Sequence, residues 1–237
     1  MDNDSNPKNT DISKQDIIQF LNETDLGGYQ SIDLPFGLKT PGMDRSKTAD
    51  IIFKYPIKDK TILDIGCKYG YFCHEALLRG AAVVKGIEIN DENSKIANKI
   101  TEFWGRDIEI INGDYLELNN LQNFDITLLL NVIHHIESPV SILNKISNQT
   151  KELAIIEFPS ILDDQTKLSS FKKMDYNFFL KKTPLIYLGN KKYHRIWYFS
   201  KEAFKNLVIH QLTIFKRVEF LPSPRKSGRY IAFCWKY

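Results

Sequence analysis

Residues 63–72 read LDIGCKYGYF. A short apolar run, TILDI (61–65), meets two glycines, Gly66 and Gly70, and passes into a stretch with helical periodicity, YGYFCHEALLRG (69–80), closed by Gly80. An apolar run too short for a helix and bounded by glycine reads as a buried strand. A glycine in the turn that follows lets the backbone come close to a ligand, because no Cβ stands in the way. The same alternation continues outward. AAVVKGIEI (81–89) is the next strand, ENSKIANKITEFW (92–104) the next helix, and DIEIING (107–113) and FDITLLLNV (124–132) two further strands. PVSILNKISNQ (139–149) is helical and ELAIIEF (152–158) is a fifth strand. Apolar strands alternating with helices predict a doubly wound α/β fold with a mostly parallel sheet.

Before this block the sequence changes character. Residues 1–10 are polar and bury nothing, a helical pattern runs from Asp11 through Ile17, Ile18, Phe20 and Leu21, and Gly27-Gly28 ends it. Residues 1–58 therefore read as a tail and helical cover, and 59–237 as the main domain. After Pro159, residues 160–199 mix Phe, Tyr and Trp with Lys and Arg and read as an inserted cap. SKEAFKNLVIHQ (200–211) is a helix with Ser200 as its N-cap. TIFKRVEFL (213–221) and RYIAFCWKY (229–237), joined by PSPRKSG, predict a C-terminal antiparallel hairpin and a seventh strand.

Composition narrows the function classes. With 237 residues, 43% of them hydrophobic, the chain can bury one real core but not two full domains. No apolar run approaches the ~20 residues that span a bilayer, and MDNDSNPKNTDISKQD has no signal-peptide core, so a cytoplasmic protein with no membrane partner is expected. A net charge of +3 suits an anionic small molecule and is too weak to argue for nucleic acid. The three cysteines, Cys67, Cys73 and Cys234, are spaced wrongly for zinc and read as small buried residues.

In such a sheet, ligands bind beyond the carboxyl ends of the strands. Gly66 and Gly70 stand at the first such end, with a helix N-terminus behind them that favours a carboxylate. Glu88 ends the second strand, about 20 residues on, where an acid suits ribose hydroxyls. Asp114, in NGDY, follows the third strand, and its carboxylate is placed to accept from an adenine amino group. A dinucleotide fingerprint would need G-x-G-x-x-G. Counted from Gly66, Lys68 and Tyr71 stand where glycines belong, which argues against a dehydrogenase.

The run LDIGCKYGYF…GIEI…GDY…FDITLLLNVIHHIESP, from Thr61 to about Pro159, resembles the class I S-adenosylmethionine-dependent methyltransferases. YQSIDLPFGLKTPG (29–42), VIHHIESP (132–139) and IIEFPS (155–160) resemble more narrowly the group that holds the tRNA wobble-uridine carboxymethyltransferase and small sugar-associated methyltransferases. The resemblance implies a Rossmann-like seven-stranded sheet and S-adenosyl-L-methionine as cofactor. It implies that Asp64, Gly66 and Gly70 carry the methionine moiety, Glu88 the ribose and Asp114 the adenine, with Cys67, Ile89, Tyr115 and Asn131 as further cofactor-binding residues. The family's glycine triplet is interrupted here by Lys68, whose side chain must point outward for the turn to survive.

On the acceptor side, His134 and His135 follow the fourth strand, which in this family lies beside the reacting sulfur. A histidine suits proton removal near neutral pH, and the alternative is that both merely cap the strand. His134 stands where the carboxymethyltransferase pattern has Tyr, which favours ordinary methyl transfer. Glu157, read as ending the fifth strand, would orient a hydroxyl, pair with a histidine, or satisfy a loop. His194, beside Arg195 in KKYHRIWYF, would close over the acceptor from the cap. A metal held by Glu157, Asp163, Asp164 and a histidine is conceivable by type, but the spacing is unspecific, and no metal is expected. The expected activity is O-methylation of a small polar metabolite, a sugar or nucleotide-linked sugar. The alternatives are a tRNA-modifying (carboxy)methyltransferase and a cofactor-binding protein without transfer activity.

Overall fold

The computed structural model describes residues 12–163, 166, 182–189, 197–212 and 215–237. These fall into two compact units, Met1–Tyr115 and Leu116–Tyr237.

The first unit opens with α1, Lys14–Glu23. It begins later than the hydrophobic pattern suggests because Ser13 and Asp16 form a reciprocal capping box: the Ser13 hydroxyl accepts from the Asp16 N–H, and the Asp16 carboxylate accepts from the Ser13 N–H. It ends at Thr24, before the two glycines. A short helix α2, Ser46–Ile52, follows. Then come β1 (Thr61–Ile65), α3 (Tyr71–Leu78), β2 (Val83–Glu88), α4 (Asp91–Trp104) and β3 (Ile108–Asn112). The strands lie in the order β3-β2-β1, all parallel, with Asp64 beside Gly86 and Glu88 beside Asn112. Helix α3 starts two residues after the predicted Tyr69, because its cap Gly70 takes the left-handed φ of 81°.

The second unit holds β4 (Phe124–Leu130), a 3-10 turn at Ile133–His135, α5 (Pro139–Gln149), β5 (Thr150–Pro159), β6 (Ile186–Leu188), β7 (Trp197–Phe199), α6 (Lys201–Asn206), β8 (Arg217–Pro222) and β9 (Arg229–Trp235). Its main strand order is β4-β5-β9-β8, with β4 and β5 parallel and the remaining pairings antiparallel. The predicted terminal hairpin is thus present, and β6 and β7 form a second small one. Ser200 caps α6 as expected, its hydroxyl accepting from the Ala203 N–H, and the chain continues as a π-helical turn at Leu207–Gln211. Phe158 is the hub of the core, stacked on Phe204 at 4.4 Å and meeting Phe199 and Phe220 edge-on. The strand complement is that of a mostly parallel, Rossmann-like α/β fold. Most of the predicted cap at 160–199 lies outside the described residues.

Three buried residues around the first strand-to-helix turn constrain what is built on it. Gly86, in the middle of β2, has no room for a side chain: a Cβ there would stand 2.7 Å from Cys67 Sγ, 2.8 Å from Ile110 Cδ1 and 3.1 Å from Cys73 Sγ. Asp64 is buried, which pushes its carboxyl up to about 7 against the pull of a Cys73 thiol at 3.7 Å and with a further push from Glu88. His74, also buried, has its Nδ1 facing the Arg106 guanidinium at 3.1 Å; burial first and that cation second bring its pKa down to about 3.

Gly86→Ala is expected to lower unfolding stability by about 1–3 kcal/mol in urea titrations; a change within about 0.5 kcal/mol would show that the pocket has slack. The two titrating groups give opposed pH slopes. Native Asp64 keeps its proton up to about pH 7 while the unfolded carboxyl loses it near 3.8, so its contribution falls as pH rises between these values. Unfolded His74 gains a proton below 6.5 and the native ring only near 3, so its contribution rises with pH over that range. Relative to the wild type, Asp64→Asn should therefore gain stability on going from pH 4 to 6.5, and His74→Gln should lose it. Parallel stability curves for all three proteins would contradict this.

Candidate functional site

The turn after β1 is built by left-handed residues. Gly66, Lys68 and Gly70 have φ of 73°, 52° and 81°. Lys68 thus adopts the backbone form that glycine would have supplied, and its side chain does leave the turn as expected. Its ammonium lies 3.4 Å from Asn93 Oδ1 and over the rings of Tyr29 and Tyr69. Its backbone N–H turns the other way and donates to Glu88 Oε2 at 2.9 Å.

Glu88 is the last residue of β2 and is buried. Its other oxygen, Oε1, accepts from the Asn90 N–H at 3.0 Å, with Asn93 Nδ2 at 3.5 Å. An ionised carboxylate offers about four acceptor positions, so these donors orient it without exhausting it. Ile89, the next residue, is 67% exposed, an apolar side chain presented at the strand tip beside a buried acid. Asp114 is partly buried two residues past β3, and Tyr115 beside it is buried. Cys67 is buried and its thiol pKa is raised, so it contributes as a small apolar wall rather than as a nucleophile. Asp64, Gly66, Cys67, Gly70, Glu88, Ile89, Asp114 and Tyr115 therefore all lie in the first unit, on the tips of β1, β2 and β3 or in the turns that follow.

The residues suit a nucleoside carrying a charged amino-acid end. The turn after β1 offers glycine backbone, Glu88 a carboxylate with spare acceptor capacity, and Ile89 an exposed apolar side chain. The sequence reading missed the supports of this arrangement, namely Gly86, Asn90 and Asn93. Gly86 had a visible signal, since a glycine inside an otherwise apolar strand marks close approach.

The second unit carries the remaining residues. Strand β4 stops at Leu130, two residues short of the prediction, because Asn131 turns left-handed with φ of 61°. His134 is buried and His135 exposed, their rings 4.1 Å apart and tilted by 39°. Glu157 does not end its strand. Strand β5 runs on to Pro159, because Phe158 and Pro159 still pair with Tyr230 and Arg229 of β9, and Glu157 is left with no exposed surface. Its carboxylate accepts from Asn131 Nδ2 and from the Ser223 hydroxyl. Asn131 Oδ1 accepts from Arg229, and Arg229 Nε donates to Asp163 Oδ2 at 3.0 Å. Glu157 and Asp163, weighed above as metal ligands, are members of this hydrogen-bonded chain. His194 and Asp164 lie outside the described residues.

Comparison with known proteins places the chain in a family. The profile of a family described as a methyltransferase domain matches residues 57–217. A ubiquinone biosynthesis O-methyltransferase of Neisseria meningitidis serogroup C (strain 053442) is 25% identical over 111 residues, 44% of this chain and 45% of the relative. A tRNA U34 carboxymethyltransferase of Pasteurella multocida (strain Pm70) is 29% identical over 96 residues, 40% of this chain and 30% of the relative. The matches thus span less than half the length of these curated relatives. Among solved structures, the N-terminal domain of EvdMO1 with S-adenosylhomocysteine and D-fucose superposes with a TM-score of 0.67 at 15% identity, covering 95% of this chain and 97% of that one. Magnesium protoporphyrin IX methyltransferase from Synechocystis PCC 6803, with bound S-adenosylhomocysteine, gives 0.58 at 18% identity, covering 81% and 84%. At these identities the structures speak for the fold, and the family profile speaks for membership. The chain belongs to the methyltransferase-domain family, within the class I S-adenosylmethionine-dependent methyltransferases.

Proposed function

We propose that this protein transfers a methyl group from S-adenosyl-L-methionine to a hydroxyl of a small polar metabolite, a sugar or nucleotide-linked sugar. The observation that carries the cofactor half of this reading is the tip of β2, where a buried Glu88 is oriented by two backbone N–H donors beside the exposed Ile89. Glu88 takes the ribose hydroxyls, Ile89 and Tyr115 flank the base, Asp114 accepts from its amino group, and the turn from Asp64 to Gly70 receives the amino-acid end. Asn131 serves by shaping the β4 tip. When bound, the cofactor supplies an electrophilic methyl on a sulfonium.

What the chain must add is alignment and, for a hydroxyl acceptor, removal of its proton. His135 is exposed at the turn after β4 and takes the proton; His134, buried against it, sets the ring's orientation. His194 and Arg195 belong to the proposed cap over the acceptor, where a cation would meet a sugar phosphate. The choice of a sugar hydroxyl is supported by likeness over most of the chain to a domain solved with D-fucose, and by the O-methyltransferase among the curated relatives. Modification of tRNA is the second reading, favoured by the carboxymethyltransferase relatives.

Three measurements separate these possibilities. Glu88→Gln should bind S-adenosylhomocysteine about 10- to 100-fold more weakly by calorimetry, the loss of a charge-assisted hydrogen bond; unchanged affinity would remove Glu88 from the site. His135→Ala should keep its affinity for that nucleoside and lose about 10²–10⁴-fold in transfer rate; full transfer would mean that the histidine only ends the strand. With labelled cofactor, a panel of sugars and nucleotide sugars should contain an acceptor. Labelling of tRNA alone, with a salt-sensitive gel shift, would replace the first reading by the second.

A further inference from the structure

Arg229, at the start of β9, is one of the most deeply buried charges in the second unit, with 3% of its surface exposed. It reaches two partners on different segments, Asp163 through Nε and Asn131 through Nη1. Asn131 in turn donates through its side chain to Glu157 Oε2 and through its backbone N–H to the Glu157 carbonyl at 2.9 Å. Ser223 closes the other end, donating its hydroxyl to Glu157 Oε1 and its N–H to the Arg229 carbonyl at 2.9 Å. Two buried carboxylates are thus served by one guanidinium, with an asparagine amide as the link between them.

The backbone around this chain is correspondingly constrained. Gly228, with φ of 81°, sits so close to the segment after β5 that a Cβ would stand 2.3 Å from the Leu162 carbonyl oxygen. Its own carbonyl accepts from the Ser160 N–H at 2.8 Å. That contact delivers Arg229 to Asp163. Asn131 holds a left-handed conformation that few residues other than glycine adopt. Both ends of its side-chain amide are taken, so the conformation is set from outside by Glu157 and Arg229. Whatever direction the chain takes on leaving Asn131 is inherited by the 3-10 turn Ile133–His135.

We propose that Arg229 is a positioning residue for methyl transfer, which through Asn131 fixes the turn carrying His134 and His135. This rests on the role given above to that histidine pair. Glu157 then acts as an anchor and not as a base, because both of its oxygens face donors and none of its surface is open. Asp163 holds the far side of the guanidinium and keeps its fork turned toward Asn131.

The test follows the histidine rings directly in the full chain. Protein labelled with 13C-histidine is compared as wild type, Arg229→Lys, Arg229→Met and Asp163→Asn, with the two ring signals assigned from His134→Gln and His135→Gln. Melting temperature and affinity for S-adenosylhomocysteine are recorded for each. Arg229→Met and Asp163→Asn should move both ring signals, and Arg229→Lys, which keeps a cation, should bring them back toward the wild-type positions. The nucleoside affinity should stay within about twofold, since Glu88 and the turn after β1 are untouched. If Arg229→Met does not fold, Asp163→Asn and Arg229→Lys decide. A folded Arg229→Met or Asp163→Asn protein with a lowered melting temperature but both ring signals at their wild-type positions would show a purely structural ion pair and overturn the proposal. Failure of the wild type to bind the nucleoside would refute the cofactor reading instead, and the ring signals would still decide the role of Arg229.

Discussion

The hydrogen bond from the Lys68 backbone N–H to the Glu88 carboxylate is the constraint on which the strand tips of the first unit depend. It ties the turn after β1 to the tip of β2, two elements that parallel pairing alone aligns only as far as Ile65 and Ile87. A charged acceptor makes such a bond stronger than a neutral one, and burial strengthens it further. It also explains how this turn tolerates Lys in a left-handed conformation that favours glycine. The left-handed backbone is stabilised by what the N–H meets, while the long side chain finds Asn93 and two aromatic rings outside the turn. Beneath it, Gly86 and the two thiols leave no slack, so the carboxylate and the turn have one relative position.

Buried charge is met in two ways. In the first, Asp64 is made tolerable by keeping its proton until about neutral pH and His74 by remaining neutral, so that burial is met by discharge. In the second, Glu157, Asp163 and Arg229 are joined in a hydrogen-bonded chain. Such a network contributes little net stability compared with apolar packing, yet breaking it leaves an uncompensated charge. Its value lies in the geometry that it imposes, here on a strand tip that leads straight into two histidines.

Much of the fold was legible because the signals are local and repeat. Each strand of the first unit is a short apolar run, each helix closes on a glycine or a capping residue, and helix α5 begins and ends where Pro139 and Gln149 suggest. The place of Glu88 at the end of β2 was legible because the apolar run AAVVKGIEI closes there. Boundaries were misread where a single backbone angle decided them, as at Gly70 and Asn131. Glu157 was misplaced because a strand's length depends on its partner: β9, remote in sequence, carries β5 two residues further. Arg229 left no trace at all, since its partners Asp163 and Asn131 lie 66 and 98 residues away and nothing in PSPRKSGR distinguishes a buried guanidinium from a solvated one.

Both the fold and the proposed chemistry come down to whether the tips of β1, β2 and β3 grip one nucleoside. Amide hydrogen exchange, followed residue by residue with and without S-adenosylhomocysteine, addresses this most directly. The account predicts slowed exchange at the turn from Gly66 to Gly70, at Glu88 to Asn90 and at Asp114 and Tyr115, three segments far apart in sequence responding together. Exchange unchanged at all three, or protection confined to residues elsewhere, would contradict it.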